Sequence, residues 1–235
     1  YHMGVTAENV AEKYQITRKQ QDEFAANSQK KAAEAIKNNK FKDEIIPIQI
    51  KDGKIFDTDE YPKKDTTTEV LATLKTVFKK DGTVTAANSS SISDGAAALL
   101  ISSEERAGEL SLPIRATILG HTVHAQKPGM FTTAPIPAAK NLLEKIGWST
   151  NEVDLWEVNE AFAVVPMGFM KELNIPREKI NVNGGACALG HPIGASGARI
   201  LVTLLNALEK RNLKKGIAAI CLGGGEGLAM AIERP

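Results

Sequence analysis

Histidine, cysteine and asparagine stand at three points of this chain where glycine is dense or an apolar run ends. The first is Asn181-Val-Asn-Gly-Gly-Ala-Cys-Ala-Leu-Gly-His191-Pro-Ile-Gly-Ala-Ser-Gly-Ala-Arg199, in which five glycines surround one histidine. Glycine that dense lets backbone come close to another group, because no Cβ stands between them. Histidine is the side chain best suited to exchange protons near neutral pH. A helix is predicted just after it, and a helix N-terminus favours anions. The second point is Cys221-Leu-Gly-Gly-Gly225, where an apolar strand ends beside glycine N–H groups. Oxyanion binding and a lowered thiol pKa both use such donors. The third is Asn159-Glu-Ala-Phe-Ala163, at a junction between a predicted strand and a predicted helix. A histidine and a cysteine together suffice for a nucleophile–base pair.

Each point also has a plainer reading. Asn159 and Glu160 can cap the helix that follows, and a lone loop histidine is commonly structural or solvated. A cysteine ending an apolar strand packs as a small hydrophobe, the reading we give Cys187 among Gly185, Ala186 and Ala188. Gly190, Gly194 and Gly197 lack the G-x-G-x-x-G spacing, which argues against a nicotinamide site. Two cysteines and four scattered histidines make no zinc pattern, so no metal is expected.

The 235 residues are enough for one or two domains with a real core, and 43% hydrophobic with 24% charged residues is ordinary for a globular protein. A net charge of +1 suggests neither a nucleic-acid nor a membrane partner, and no apolar run approaches a membrane span. The cysteine count and the lack of a secretory signal fit a reducing, cytoplasmic compartment. The chain begins Tyr1-His2-Met3-Gly4, which suggests the second part of a longer polypeptide or a trimmed one.

Periodicity predicts the elements that position these residues. Thr6–Gln15 reads as a short helix. Thr17, with Gln20 three residues on, caps a longer one carrying Phe24, Ser28, Ala32, Ala35 and Ile36 on one face. Ile46, Ile48 and Ile50 alternate as a strand, with Asp52-Gly53 as a hairpin turn. Residues 51–80 are polar and weakly periodic, hence irregular surface structure that could hold a ligand. Ala96–Ser102 reads as a buried strand or a short helix–strand element. From residue 115 the pattern is regular, with strands at 115–123, 153–158, 179–183, 217–222 and 228–232. Helices are predicted at 137–146 (stopped by Gly147), at 160–173 (kinked by Pro166) and at 196–210. This βαβαβαββ order implies an α/β layer, and such sheets bind ligands at the carboxyl edge, where all three points fall.

Asn159-Glu-Ala-Phe-Ala, Gly190-His-Pro-Ile-Gly-Ala-Ser-Gly-Ala-Arg and Cys221-Leu-Gly-Gly-Gly resemble, in order, the three C-terminal signature blocks of the thiolases. Tyr1-His-Met-Gly-Val-Thr-Ala-Glu-Asn-Val-Ala and Gly82-Thr-Val-Thr-Ala-Ala-Asn-Ser-Ser-Ser-Ile-Ser-Asp-Gly-Ala-Ala-Ala resemble two more. The likeness runs the length of the chain and is nearest the acetyl-CoA acetyltransferase branch. It implies a layered αβαβα fold of two βαβαβαββ halves plus a loop domain. Residues 1–82 would be a partial, coenzyme-covering loop domain, 83–112 the end of the first half, and 113–235 the second half.

The resemblance also implies chemistry: acetoacetyl-CoA made or cleaved through a covalent acyl-cysteine, with acetyl-CoA and coenzyme A as substrates and no tightly bound cofactor. The acylated cysteine belongs to a block absent here, so the N-terminal portion of a thiolase is the expected partner and the chain alone is expected to be inactive. A homo-oligomer, dimer or tetramer, is also expected. By position, His191 matches the base that activates the nucleophile and helps to bind the thioester oxygen. Asn159 matches the residue that holds a water in that oxyanion hole, Cys221 the acid/base, and Gly223 an N–H donor to the acyl-enzyme oxygen. Each such donor is worth about 3 kcal/mol in the transition state. His2 and Ser90 match pantetheine contacts, and Met3 and Phe162 the acyl-pocket lining. Phe131 stands where the branch often has methionine. Lys63 stands in place of an arginine near the adenine, keeping the charge but losing the flat stacking face. A non-catalytic acyl-CoA carrier and an inert truncation product are the rival readings.

Overall fold

A computed structural model of the chain describes residues 2–235; Tyr1, the first residue of the opening motif, lies outside them. Helix α1 (Met3–Tyr14) and helix α2 (Arg18–Lys37) open the chain. Thr17 and Gln20 form the capping box that their spacing predicts, and α2 buries Phe24, Ala25, Ser28, Ala32 and Ala35. Strands β1 (Ile48–Gln49) and β2 (Ile55–Phe56) pair as a short hairpin across Asp52-Gly53. The lysine-rich stretch holds one five-residue helix, α3 (Thr68–Ala72), which the weak periodicity did not predict.

Ala96–Ser102 does not form the expected buried element. It has no regular structure, and Leu100 and Ile101 are 86% and 67% exposed. A strand exists only by pairing, and no described strand lies beside this run to pair with it. A short helix α4 (Glu104–Glu109), capped by Ser103, follows.

The rest is one mixed sheet between helices. Strands β3 (Thr117–Ala125), β4 (Leu155–Val158), β5 (Lys215–Leu222) and β6 (Glu226–Glu233) lie in the order β3-β6-β5-β4, with β4 parallel to β5 and the other pairs antiparallel. Alternate residues of β4 and β5 enter two cores. Leu155, Ala218 and Ile220 pack with Ile200, Leu204 and Leu208 of helix α8 (Ser196–Lys210). Trp156, Val158, Ile217, Ala219 and Cys221 pack with helix α5 (Pro135–Ile146), helix α6 (Val164–Leu173) and α1. This is the α/β layer that the alternation of predicted strands and helices implied.

Two predictions fail locally, both near the candidate site. The helix predicted from Glu160 starts at Val164, because residues 159–163 are held by the 83–93 segment instead. Ala163 N–H donates to Asn88 O at 2.8 Å, Ser90 N–H to Ala161 O at 3.0 Å, and Ser89 bridges Phe162. Pro166 therefore sits in the first turn, where its missing N–H costs little, and not at an interior kink. The strand predicted at 179–183 is reduced to a bridge from Ile180 to Trp156. Asn181 turns left-handed at φ 44°, which ends any strand there. Its side chain then completes the pairing, accepting from Val158 N–H and donating to Val158 O, both at 2.8 Å.

Candidate active site

Asn159 follows β4 and is fully buried. Its N–H donates to Ala219 O at 2.9 Å, which continues the β4–β5 pairing by one residue. The asparagine and Cys221 thus stand at the carboxyl ends of neighbouring parallel strands, the usual ligand edge of such sheets. His191 arrives from the other side. Its loop follows a short helix, α7 (Ala186–Leu189), and is tied down by His191 N–H to Ser91 O at 2.9 Å and by an Ile92–His191 bridge. Gly190 has φ +88°, and a Cβ there would fall on Ser93 Oγ, so the residue before the histidine has to be glycine. The 83–93 segment therefore stitches the asparagine and histidine loops together.

His191 Nε2 lies 3.4 Å from Asn159 Nδ2, and Nδ1 lies 2.5 Å from Ser196 Oγ. Burial, with the positive charge of Arg199 second, lowers the imidazole pKa below its ordinary value, which favours the neutral ring. Asn159 Oδ1 is buried and without a partner among the described residues. It is a buried acceptor that a water or a substrate donor could satisfy.

Neither Asn159 nor Glu160 caps the helix: α6 begins five residues after Asn159, with no side-chain cap. Glu160 is a buried hub instead. Its carboxylate accepts from Ser28 Oγ at 2.7 Å, Asn181 Nδ2 at 2.8 Å and Cys187 N at 3.1 Å. A Cβ on Gly185 would strike that carboxylate, so the hub also explains a glycine of the first motif. One buried pair joins the two elements that present the site. Arg199 Nη1 of α8 donates to Glu157 Oε1 of β4 at 3.1 Å.

Cys221 is buried in one apolar cluster with Phe131, Phe162, Val158 and Ala161. Burial pushes its thiol up to about 12, the reverse of the lowered value that the adjacent glycines suggested. It is a neutral thiol, suited to give a proton and a poor resting thiolate. Cys187 packs as the small hydrophobe expected, with its thiol against Glu160 O and its pKa raised by burial. Both cysteines are free. Gly223 is exposed, with open space around the position a Cβ would take.

The other predicted residues divide. His2 caps α1, accepting from Gly4 N–H at 3.2 Å, and its ring stacks on Phe78 at 4.8 Å. Phe78 in turn meets Phe162 edge-on at 6.1 Å, so one aromatic chain joins the coenzyme and acyl-pocket candidates. Ser90 hydroxyl donates to Ala161 O at 3.0 Å. Met3 is exposed and lies outside the buried cluster. Lys63 is exposed too; its N–H donates to Gln29 Oε1 at 2.8 Å, and Gln29 reaches Cys187 O at 3.0 Å. Sequence reasoning missed Phe78, Ser196, Arg199 and the Glu160 hub. Phe78 left a usable signal, as the lone aromatic between Tyr61 and Phe131. No helix of the described residues is long and apolar enough to cross a membrane.

Comparison with known proteins decides the family. The thiolase N-terminal domain matches residues 1–105 and the thiolase C-terminal domain residues 112–234. The chain belongs to the thiolase family. Acetyl-CoA acetyltransferases of Allochromatium vinosum and Pseudomonas aeruginosa are each 51% identical to it over its whole length. The Bacillus anthracis acetyl-CoA acetyltransferase structure superposes with TM-score 0.97 at 48% identity, covering 99% of this chain and 60% of that one. The human mitochondrial 3-ketoacyl-CoA thiolase in complex with CoA does so with TM-score 0.94 at 40% identity, covering 99% and 59%. The thiolase fold expected from the motifs is thus present. The chain spans about 60% of the length of the curated relatives it matches.

Proposed function

We propose that this chain carries the histidine, asparagine and second-cysteine part of an acetyl-CoA acetyltransferase site. It makes or cleaves acetoacetyl-CoA once joined to the rest of the family's length. The observation that carries the reading is the contact between Asn159 and a half-buried His191 whose pKa is lowered, with both residues inside thiolase motifs. His191 takes the proton of a cysteine thiol supplied from outside these 235 residues. That thiolate attacks an acyl-CoA thioester and expels the CoA thiolate, leaving an acyl-cysteine. Asn159 and His191 stabilise the oxygen of the enolate formed from the second acetyl-CoA. Cys221 gives or takes the proton at the reacting carbon or at CoA sulfur. The Gly223 N–H helps to bind the acyl-enzyme oxygen.

The coenzyme would lie over His2, Ser90 and Lys63, and the acyl group among Met3, Phe131 and Phe162. CoA is then a substrate, with no resident cofactor. Residues 1–82 form the loop domain, 83–112 the end of the first half and 113–235 the second half. The partner is the N-terminal portion, within a homo-oligomer, in a reducing cytoplasmic setting that suits two free cysteines.

A chain without activity is the competing reading, with Leu100 and Ile101 left exposed. Mixing this chain with the N-terminal portion of a related acetyltransferase, and following acetoacetyl-CoA thiolysis, separates the two. Activity is expected only in the mixture and is lost in His191→Ala and Cys221→Ser. An inactive mixture that has formed a complex refutes the catalytic reading. Full activity in Cys221→Ser refutes the acid/base role.

A further inference from the structure

We propose that Ser196 is a positioning residue that fixes which nitrogen of His191 carries the proton, holding Nδ1 as N–H and leaving the Nε2 lone pair toward Asn159. The inference rests on the role proposed above for His191. The Ser196 hydroxyl has one proton and two polar neighbours, Pro192 O at 3.0 Å and His191 Nδ1 at 2.5 Å. The Pro192 carbonyl can only accept, as it already does from the N–H groups of Ala195 and Ser196. Were the hydroxyl proton turned to Nδ1, two oxygens would face each other at 3.0 Å with no proton between them. Turned to Pro192 O, the usual back-bond of a helical serine to the carbonyl four residues earlier, it leaves a hydroxyl lone pair for an Nδ1–H donor. Ser196 is fully buried, so solvent offers no other partner.

The far side of the ring agrees. With its amide nitrogen turned toward the ring, 3.4 Å from Nε2, Asn159 donates to a lone pair there. One polarity therefore runs through four groups: the Asn159 amide N–H to Nε2, then Nδ1–H to Ser196 Oγ, then Oγ–H to Pro192 O. It makes His191 a base at Nε2 before any substrate arrives, and it holds the ring plane against the start of α8.

The test reads the tautomer directly on this chain and needs no turnover. In a 15N-labelled sample, at a pH where the ring is neutral, the two imidazole nitrogens distinguish N–H from a lone pair, and His191→Gln identifies the signals. Nδ1–H is expected in the native chain. Nε2–H there overturns the proposal, whatever the variants do. In Ser196→Ala the ratio of Nδ1–H to Nε2–H should fall about tenfold, the worth of one hydrogen bond, and Ser196→Thr should restore it. An unchanged ratio in a Ser196→Ala chain whose His2, His121 and His124 signals stay native also overturns it. With the N-terminal portion added, Ser196→Ala should lower kcat more than it changes KM, and the threonine variant should recover kcat; a KM effect alone refutes positioning. Should His191→Ala keep full activity while the native tautomer is Nδ1–H, it is the role of His191 as base that fails, not the tautomer assignment.

Discussion

Glu157→Gln should make the protein more stable at neutral pH, and the gain should vanish in acid. Glu157 is buried in the middle of β4, and its ionic partner among the described residues is Arg199 at 3.1 Å. Burial raises its carboxyl from 4.5 to about 7; the Arg199 charge opposes the rise but does not cancel it. A shift of that size corresponds to about 3 kcal/mol. Below pH 4.5 the group is protonated in both folded and unfolded chains and costs nothing by ionisation. Between 4.5 and 7 the unfolded chain has released the proton and the folded chain still holds it. Wild-type stability therefore falls with rising pH, by up to about 1.4 kcal/mol per unit, and levels off above 7.

A glutamine of the same shape cannot ionise, so the variant escapes that loss while every other group titrates in both proteins. The assay is urea unfolding from pH 4.5 to 8, followed through Trp156, which is buried beside Glu157. The stability of the variant minus that of the wild type should climb by about 3 kcal/mol across the range and then stay flat. A flat difference, or one that falls with pH, would refute the reasoning; it would mean that the ion pair outweighs the cost of burying it.

Other outcomes follow from the same geometry. Gly190→Ala puts a side chain at φ +88° and onto Ser93 Oγ, and should cost about 1–3 kcal/mol in denaturant unfolding. Thr17→Ala removes the capping-box hydroxyl of α2 and should cost about 1 kcal/mol by the same measurement. With both thiols buried and raised in pKa, neither Cys187 nor Cys221 should react with iodoacetamide at pH 8 in the folded chain, whereas both should react in urea; rapid native labelling of Cys221 would show that its thiol is neither sealed nor neutral. Phe78→Ala removes the ring that stacks on His2 and meets Phe162, and CoA bound to the complemented protein should weaken several-fold by calorimetry if those residues hold it.

The motifs by themselves determined the family, the α/β layer, and the identity of His191, Asn159 and Cys221 as the residues of interest. The reason is local: strand and helix periods, the Thr17 box and the Gly147 stop are written in neighbouring residues, and the glycines around His191 mark where backbone must come close. What surrounds those residues was decided only in three dimensions. Nothing near Cys221 in the chain announces a thiol raised to about 12, because it is buried in a cluster whose other members, Phe131 and Phe162 among them, are distant in sequence. Ser28, Asn181 and Cys187 converge on Glu160 from separate segments, so a residue that reads as a helix cap became a buried anchor. The run Ala96–Ser102 has strand-like composition and stays bare, since a strand requires a neighbour that sequence pattern cannot supply. The contact between Asn159 and His191, 32 residues apart in the chain, likewise exists only in the folded structure.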